Sequence, residues 1–207
     1  MTAQFKDDRD AVLAELASVV DVVITPVLEV AVVAAPDRES LISQFIAAAE
    51  DNAAIVSRAQ KKTLPTVVAD YLRARQLPPT IVCTDDWINI DWKVAGIDAQ
   101  YRAPVSEDTC GVSGVKAAAA DSGAMLVTGN TPHELTVSLL PPYHIAIVNE
   151  AVIVPTTADV LAPLAAAPPH TIALFCGPSR TADIEQTLTI GAHGPVAVHV
   201  IIISENI

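Results

Sequence analysis

Two kinds of hydrophobic pattern alternate along the chain. In the first, apolar residues recur every three or four positions, as on one face of a helix. Val12, Leu13, Leu16, Val19 and Val20 do so over about 7–20, and Leu41, Ile42, Phe45, Ile46 and Ala49 do so over 37–52, where Asp37 is placed to cap. Val67, Val68, Tyr71 and Leu72 repeat the pattern over 65–75, behind Pro65 and before Pro78-Pro79. The second pattern is a short run of Val, Ile and Ala with few charges, the mark of a strand buried on both faces. Such runs occupy 53–57, 80–83, 124–128, 145–148, 151–154, 171–176 and 196–203, and a further Val-rich stretch, 21–33, is broken by Pro26. Helices are expected between them over about 113–121, rich in alanine and stopped at Gly123, over 131–140 before Pro141-Pro142, over 157–167 and over 180–190. Strands alternating with helices predict an α/β fold of three layers, α/β/α, around a mixed, mostly parallel sheet. Only 85–107, with both tryptophans (Trp87 and Trp92) and four aspartates, lacks a period and reads as an edge hairpin or surface excursion.

At 207 residues the chain is expected to form one domain over 1–207. Half of it (51%) is hydrophobic and 17% is charged, which excludes intrinsic disorder. Twelve Lys and Arg against 24 Asp and Glu give a formal charge of −12, which argues against nucleic-acid binding and against docking on anionic lipid. No uncharged apolar stretch reaches the ~18 residues of a membrane span, and the charged, amphipathic start does not read as a signal peptide. Cys83, Cys110 and Cys176 are isolated, with no CxxC, so no zinc ribbon, iron–sulfur run or disulfide framework is signalled. The compartment expected is a reducing cytoplasm.

Candidate chemistry gathers in the second half. Leu174-Phe-Cys-Gly-Pro-Ser-Arg-Thr runs from a strand toward the expected helix at 180–190. Gly177, Ser179, Arg180 and Thr181 would then offer backbone N–H groups, hydroxyls and a guanidinium to a carboxylate or phosphate. Simple N-capping, with Asp183 and Glu185 complementing the helix dipole, fits the same residues. Gly111-Val-Ser-Gly matches neither dinucleotide nor P-loop fingerprints, and reads as a loop of small residues that eases close approach of chains. Asp121, expected at a helix C-terminus, is a carboxylate against the dipole, solvated or held by a partner. Ser138 and His144 flank Pro141-Pro142, where one cis bond would fix their geometry, but no GxSxG elbow accompanies them. His193 sits in a tight Gly191-Ala-His-Gly turn, and the five histidines show no metal-ligand spacing.

These stretches, Gly111-Val-Ser-Gly, Asp121-Ser-Gly-Ala-Met-Leu, Ser138-Leu-Leu-Pro-Pro-Tyr-His-Ile, Gly177-Pro-Ser-Arg-Thr-Ala-Asp-Ile-Glu and Gly191-Ala-His-Gly-Pro, resemble in order the LUD-domain family, in its lactate-utilisation protein C branch. The resemblance covers 110–203. It implies the fold of the superfamily of ribose-5-phosphate isomerase, glucosamine-6-phosphate deaminase and CoA-transferases. It further implies a part in oxidising L-lactate to pyruvate beside two iron–sulfur partner proteins. The cysteine count sets this chain apart from the partner type that fuses the domain to ferredoxin-like cysteines, so no cofactor is expected in the chain itself. Asp121 stands where the family's run has Glu, one methylene longer. Two functions follow as expectations: an accessory subunit binding a small anion, through Gly177, Ser179, Arg180, Thr181 and Ser138, or an isomerase, cyclo-ligase or CoA-transferase type of enzyme with Asp121, His144 or His193 as acid and base. The second requires Asp121, His144, Arg180 and His193 to share one cleft.

Overall fold

Asp37 opens the described structure as the cap of α1 (Arg38–Asp51): its carboxylate accepts from the Ser40 N–H at 3.0 Å and from the Ser40 hydroxyl at 2.7 Å. These two bonds hold the Asp37 carboxyl below its usual range. The computed structural model describes residues 37–129, 132–166, 168–182, 188–190 and 194–204, all within one unit, Ala35–Ile207. The helix expected over 7–20 and the Val-rich stretch 21–33 lie outside the described residues. Beyond α1 the chain runs through β1 (Ile55–Gln60), α2 (Leu64–Ala74), β2 (Thr80–Cys83), β3 (Asp98–Gln100), β4 (Cys110–Gly114), β5 (Ala117–Ala119), β6 (Met125–Gly129) and α3 (Pro132–Leu139). It continues through β7 (Tyr143–Asn149), β8 (Ile153–Val154), α4 (Thr157–Leu161), β9 (Thr171–Phe175), β10 (Arg180–Ala182), β11 (Leu188–Ile190) and β12 (Ala197–Ser204).

Six of these strands form one wholly parallel sheet in the order β1-β12-β7-β4-β2-β3. Its central strands bury alternate residues in two cores, as the two-residue period of a strand requires. Ile145, Ile147, Ile201 and Ile203 meet Leu64, Val68, Tyr71 and Leu72 of α2 on one face. Ala146, Val148, Val198, Val200 and Ile202 meet Leu41, Ile42, Phe45 and Ala49 of α1 on the other, together with Ala118, Met125 and Ile153. Those last three belong to a second, mixed sheet, β8-β5-β6-β9, which shares the α1 face. The α/β class and the mostly parallel sheet hold, with one covering layer built partly of strands.

Several local expectations are corrected. No helix spans 113–121: Gly111 to Gly114 lies in β4, and Ala117–Ala119 is β5, paired with Met125 and Leu126 on one side and Ile153 and Val154 on the other. Alanine's helix propensity is overridden by burial, since Ala118 and Ala119 are fully enclosed between two strands. Gly111 does permit close approach, but from within a strand, for a Cβ there would stand 2.0 Å from the Val137 carbonyl oxygen of α3. Gly123 has φ +69° as expected, in the β5–β6 turn rather than at a helix end. In place of the helix expected over 180–190, its described ends pair as antiparallel strands, with Arg180, Thr181 and Ala182 opposite Ile190, Thr189 and Leu188. The described peptide bonds are all trans, including those before Pro141 and Pro142. In 85–107, two 3₁₀ turns (Asp85–Trp87 and Trp92–Ala95) lead into β3 at the sheet edge, and Trp92 is core.

Two histidines lie inside this sheet. His144 of β7 has no exposed surface; its Nε2 is hydrogen-bonded to the Ser113 hydroxyl of β4 at 2.8 Å. His199 of β12 is bonded in the same way to Ser57 of β1 at 2.9 Å, on the opposite face. Burial pushes the His144 imidazole down to about 3, so it is neutral in the native state. An unfolded chain takes up that proton near pH 6.5. The unfolded state therefore binds more protons below pH 6.5, and stability falls as pH drops from there toward the native value. Between pH 6.5 and 5 this group alone removes roughly 2 kcal/mol. A His144→Gln variant, whose amide can still meet Ser113, is expected to lose that much less over the interval in urea unfolding; equal slopes would refute the account.

Candidate functional site

The Gly177 to Arg180 run is held at the rim where β1 and β12 begin. Gly177 is required there: a Cβ would stand 2.3 Å from the Asn52 carbonyl oxygen at the end of α1. Ser179 donates its N–H to the Pro195 carbonyl at 2.9 Å, and a Cβ at Gly194 would stand 3.2 Å from the Ser179 Cβ. The two glycine-containing runs thus pack on each other ahead of β12. Since β10 is a strand, no helix start presents free N–H groups here, and the Ser179 N–H is already taken. What remains of the expected anion site is the Arg180 side chain, and it has company.

Arg180 lines a pocket of about 200 Å³ with Arg75, Ala53, Ile55, Pro178 and the Val196–Val198 segment. Arg75 follows the last turn of α2, where a cation complements the helix dipole. Its guanidinium lies over the Tyr71 ring, 5.5 Å from the centroid, a cation–π contact that restricts its swing. Tyr71 in turn packs on the His199 ring at 4.6 Å. Burial, and secondarily the Arg75 charge, push His199 down to about 4, so it adds no positive charge to the site. Burial pushes the Tyr71 hydroxyl up to about 12, so the phenol stays neutral. Neither arginine has a carboxylate partner among the described residues, although acidic residues outnumber basic ones two to one. Two guanidinium groups without a carboxylate partner among the described residues, above an apolar floor, have the chemistry that suits a small anion with an apolar end.

The other predicted residues lie elsewhere. Asp121 follows β5 and faces the start of α4, accepting at 3.2 Å from both the Thr157 N–H and the Thr157 hydroxyl. Its dipole environment is therefore favourable, the reverse of the helix-end expectation. Its charge, after burial, also helps raise the Cys176 thiol. Ser138 donates to the Leu135 carbonyl at 2.7 Å inside α3. His144 is enclosed and tied to Ser113, not to Ser138. Thr181 pairs with Thr189 in the hairpin, and His193 lies outside the described residues. The Arg180 pocket contains neither Asp121 nor His144, so the shared acid–base cleft is not assembled among the described residues. Arg75 was not singled out from sequence, where a basic residue at a helix end reads as a dipole partner. The signal available was its place ahead of Pro78-Pro79, at the turn that returns the chain to the strand-start rim.

Comparison with known proteins fits these observations. The family described as the LUD domain matches residues 90–203. A protein named lactate utilization protein C from Exiguobacterium is 34% identical over 133 residues, 61% of this chain and 56% of that protein. Its namesake from Bacillus licheniformis is 34% identical over 154 residues, 69% of this chain and 63% of that protein. The namesake from Bacillus subtilis is 37% identical over 93 residues, 42% of this chain and 39% of that protein. The chain thus spans less than two thirds of the length of these relatives. A crystal structure of a DUF162 family protein from Deinococcus radiodurans superposes with a TM-score of 0.60 at 24% identity, covering 81% of this chain and 99% of that one, which establishes shared fold.

The bonds of Asp121 tie the end of β5 to the first residue of α4, a helix capped by Thr156. Asp121→Ala is expected to cost about 0.5–1.5 kcal/mol in chemical denaturation and to leave ligand binding at the arginine pocket unchanged. A loss of binding at full stability would place Asp121 in the site instead.

Proposed function

The chain belongs to the LUD domain family, and from that premise we propose that it is the anion-binding component of a lactate-utilisation system, holding L-lactate or pyruvate between Arg75 and Arg180 beside iron–sulfur partner proteins. The single observation that carries this reading is the pair of guanidinium groups, without carboxylate partners among the described residues, over an apolar floor. A three-carbon hydroxy or oxo acid has the two features such a pocket selects. Its carboxylate takes parallel hydrogen bonds from one guanidinium and the attraction of the second. Its methyl group rests on Ile55, Val196 and Val198. The net charge of −12 repels anions from most of the surface, so the arginine rim is where a carboxylate is drawn in. The names of the relatives supply the process. In it this chain presents the acid, and the electrons of lactate oxidation pass to the partners' clusters. No described helix is long and apolar enough to cross a membrane.

Titration calorimetry of the full chain with L-lactate and with pyruvate tests the proposal. Saturable binding is expected, and Arg180→Ala should weaken it by about 1.5–3 kcal/mol, roughly 10- to 150-fold. Arg75→Ala should weaken it too, by less, because that guanidinium is also committed to Tyr71. Unchanged affinity in both variants, or no binding of either acid, would overturn the assignment.

A further inference from the structure

The mixed sheet β8-β5-β6-β9 has an open edge. Strand β9 pairs with β6 alone, Leu174 opposite Leu126 and Ile172 opposite Thr128. In an edge strand the backbone N–H and C=O groups of every second residue point away from the sheet. Among the described residues, none of those groups on β9 meets another backbone group. The side chains alternate as well. Phe175 turns inward, onto the core that α1 covers, and meets the His144 ring edge-on at 5.1 Å between centroids. Ile172 and Leu174 turn outward, where α4 covers β5 and β8 but leaves these two side chains 46% and 41% exposed.

Sheet edges that stay single carry safeguards against pairing with another chain, chiefly charge, proline and brevity. The other edges of the two larger sheets have them. Strand β1 carries Arg58, ion-paired to Glu39. Strand β3 is three residues long and bears an exposed Asp98, and β8 has only two residues. Strand β9 lacks all three. Its five residues keep every N–H, since Pro168-Pro169 stop short of it, and no Asp, Glu, Lys or Arg occurs from Val160 to Ser179.

Charge selects the occupant. A chain of net charge −12 repels its own copies over most of its surface. The uncharged β9 segment is where two copies approach each other without that repulsion. Antiparallel pairing there is also self-complementary: a two-fold axis at Ala173 sets Ile172 of each copy against Leu174 of the other, on one face. We propose that β9 is a homodimer interface, in which two copies pair their β9 strands antiparallel and join two four-stranded sheets into one continuous sheet. One strand pair is a small interface, so the association is weak and reversible. The segment 176–179 leads from β9 to Arg180, so the arginine pocket of each copy is anchored to the shared sheet.

Sedimentation velocity of the full chain, from about 1 to about 300 μM, tests the proposal. The mass is expected to rise with concentration from 21.7 kDa toward twice that value and to stop there, because a two-fold interface closes on itself. Leu174→Lys and Ile172→Glu should each weaken association about tenfold, by removing two apolar cross-strand pairs and setting like charges on the diagonal. Both side chains are exposed, so each variant is expected to keep the unfolding midpoint of the parent chain; should one lower it, the other carries the test. An equimolar mixture of the two variants should regain the association that each has lost, because the two-fold then sets lysine against glutamate. A constant 21.7 kDa across the range, growth beyond two copies, association that neither folded variant weakens, or a mixture no stronger than its parts would overturn the proposal.

Discussion

A parallel sheet cannot leave a face in water, and that constraint organises this protein. Its connections return each strand to the same rim, so covering elements fall on both sides. The central strands β7 and β12 are apolar at nearly every position because alternate residues enter different cores. The exceptions obey the same rule. An imidazole enclosed on either face is tolerated only neutral and only with a hydroxyl from the adjacent strand. Ser113 and Ser57 supply those hydroxyls, joining β4 to β7 and β1 to β12 where backbone bonds alone would be anonymous about register.

Parallel strands also give the sheet two unlike ends. All six begin on one rim and finish on the other. The starting rim gathers Arg75 from the end of α2 and Arg180 from the start of a hairpin. The finishing rim gathers Asp85, Asp86 and Glu134 around Lys116. The sheet is thus polarised along its strands, cationic at one pocket and acidic at the other, within a chain whose net charge is −12.

Strands β1, β2, β6, β7, β8, β9 and β12 and the first two described helices were legible because apolar runs mark the strands and Asp37 and Pro65 mark the helix starts. Strands β3 and β4 were not, the first lying in an unpatterned stretch and the second reading as a loop of small residues, and two further segments were misread. Ala117–Ala119 has helix propensity but is clasped between strands, and residues 180–190 hold acids that suit a helix start while their Thr residues suit the hairpin that forms. Both misreadings arise where tertiary pairing outweighs local preference. Of the candidate pocket's lining, Arg180 was singled out through its motif. Arg75 was not, because it acquires meaning only from Arg180, a partner distant in the chain.

Gly111 shows how little chemistry a residue needs in order to govern it. Its bare Cα lets the Val137 carbonyl of α3 rest against β4, and it stands beside His144 in the β4–β7 register. A methyl group there would act as a wedge, prising the helix from the strand at the level of the enclosed imidazole. Water reaching that ring would restore its ordinary basicity. The neutrality of an enclosed imidazole thus depends on a side chain that its neighbour on the adjacent strand does not have.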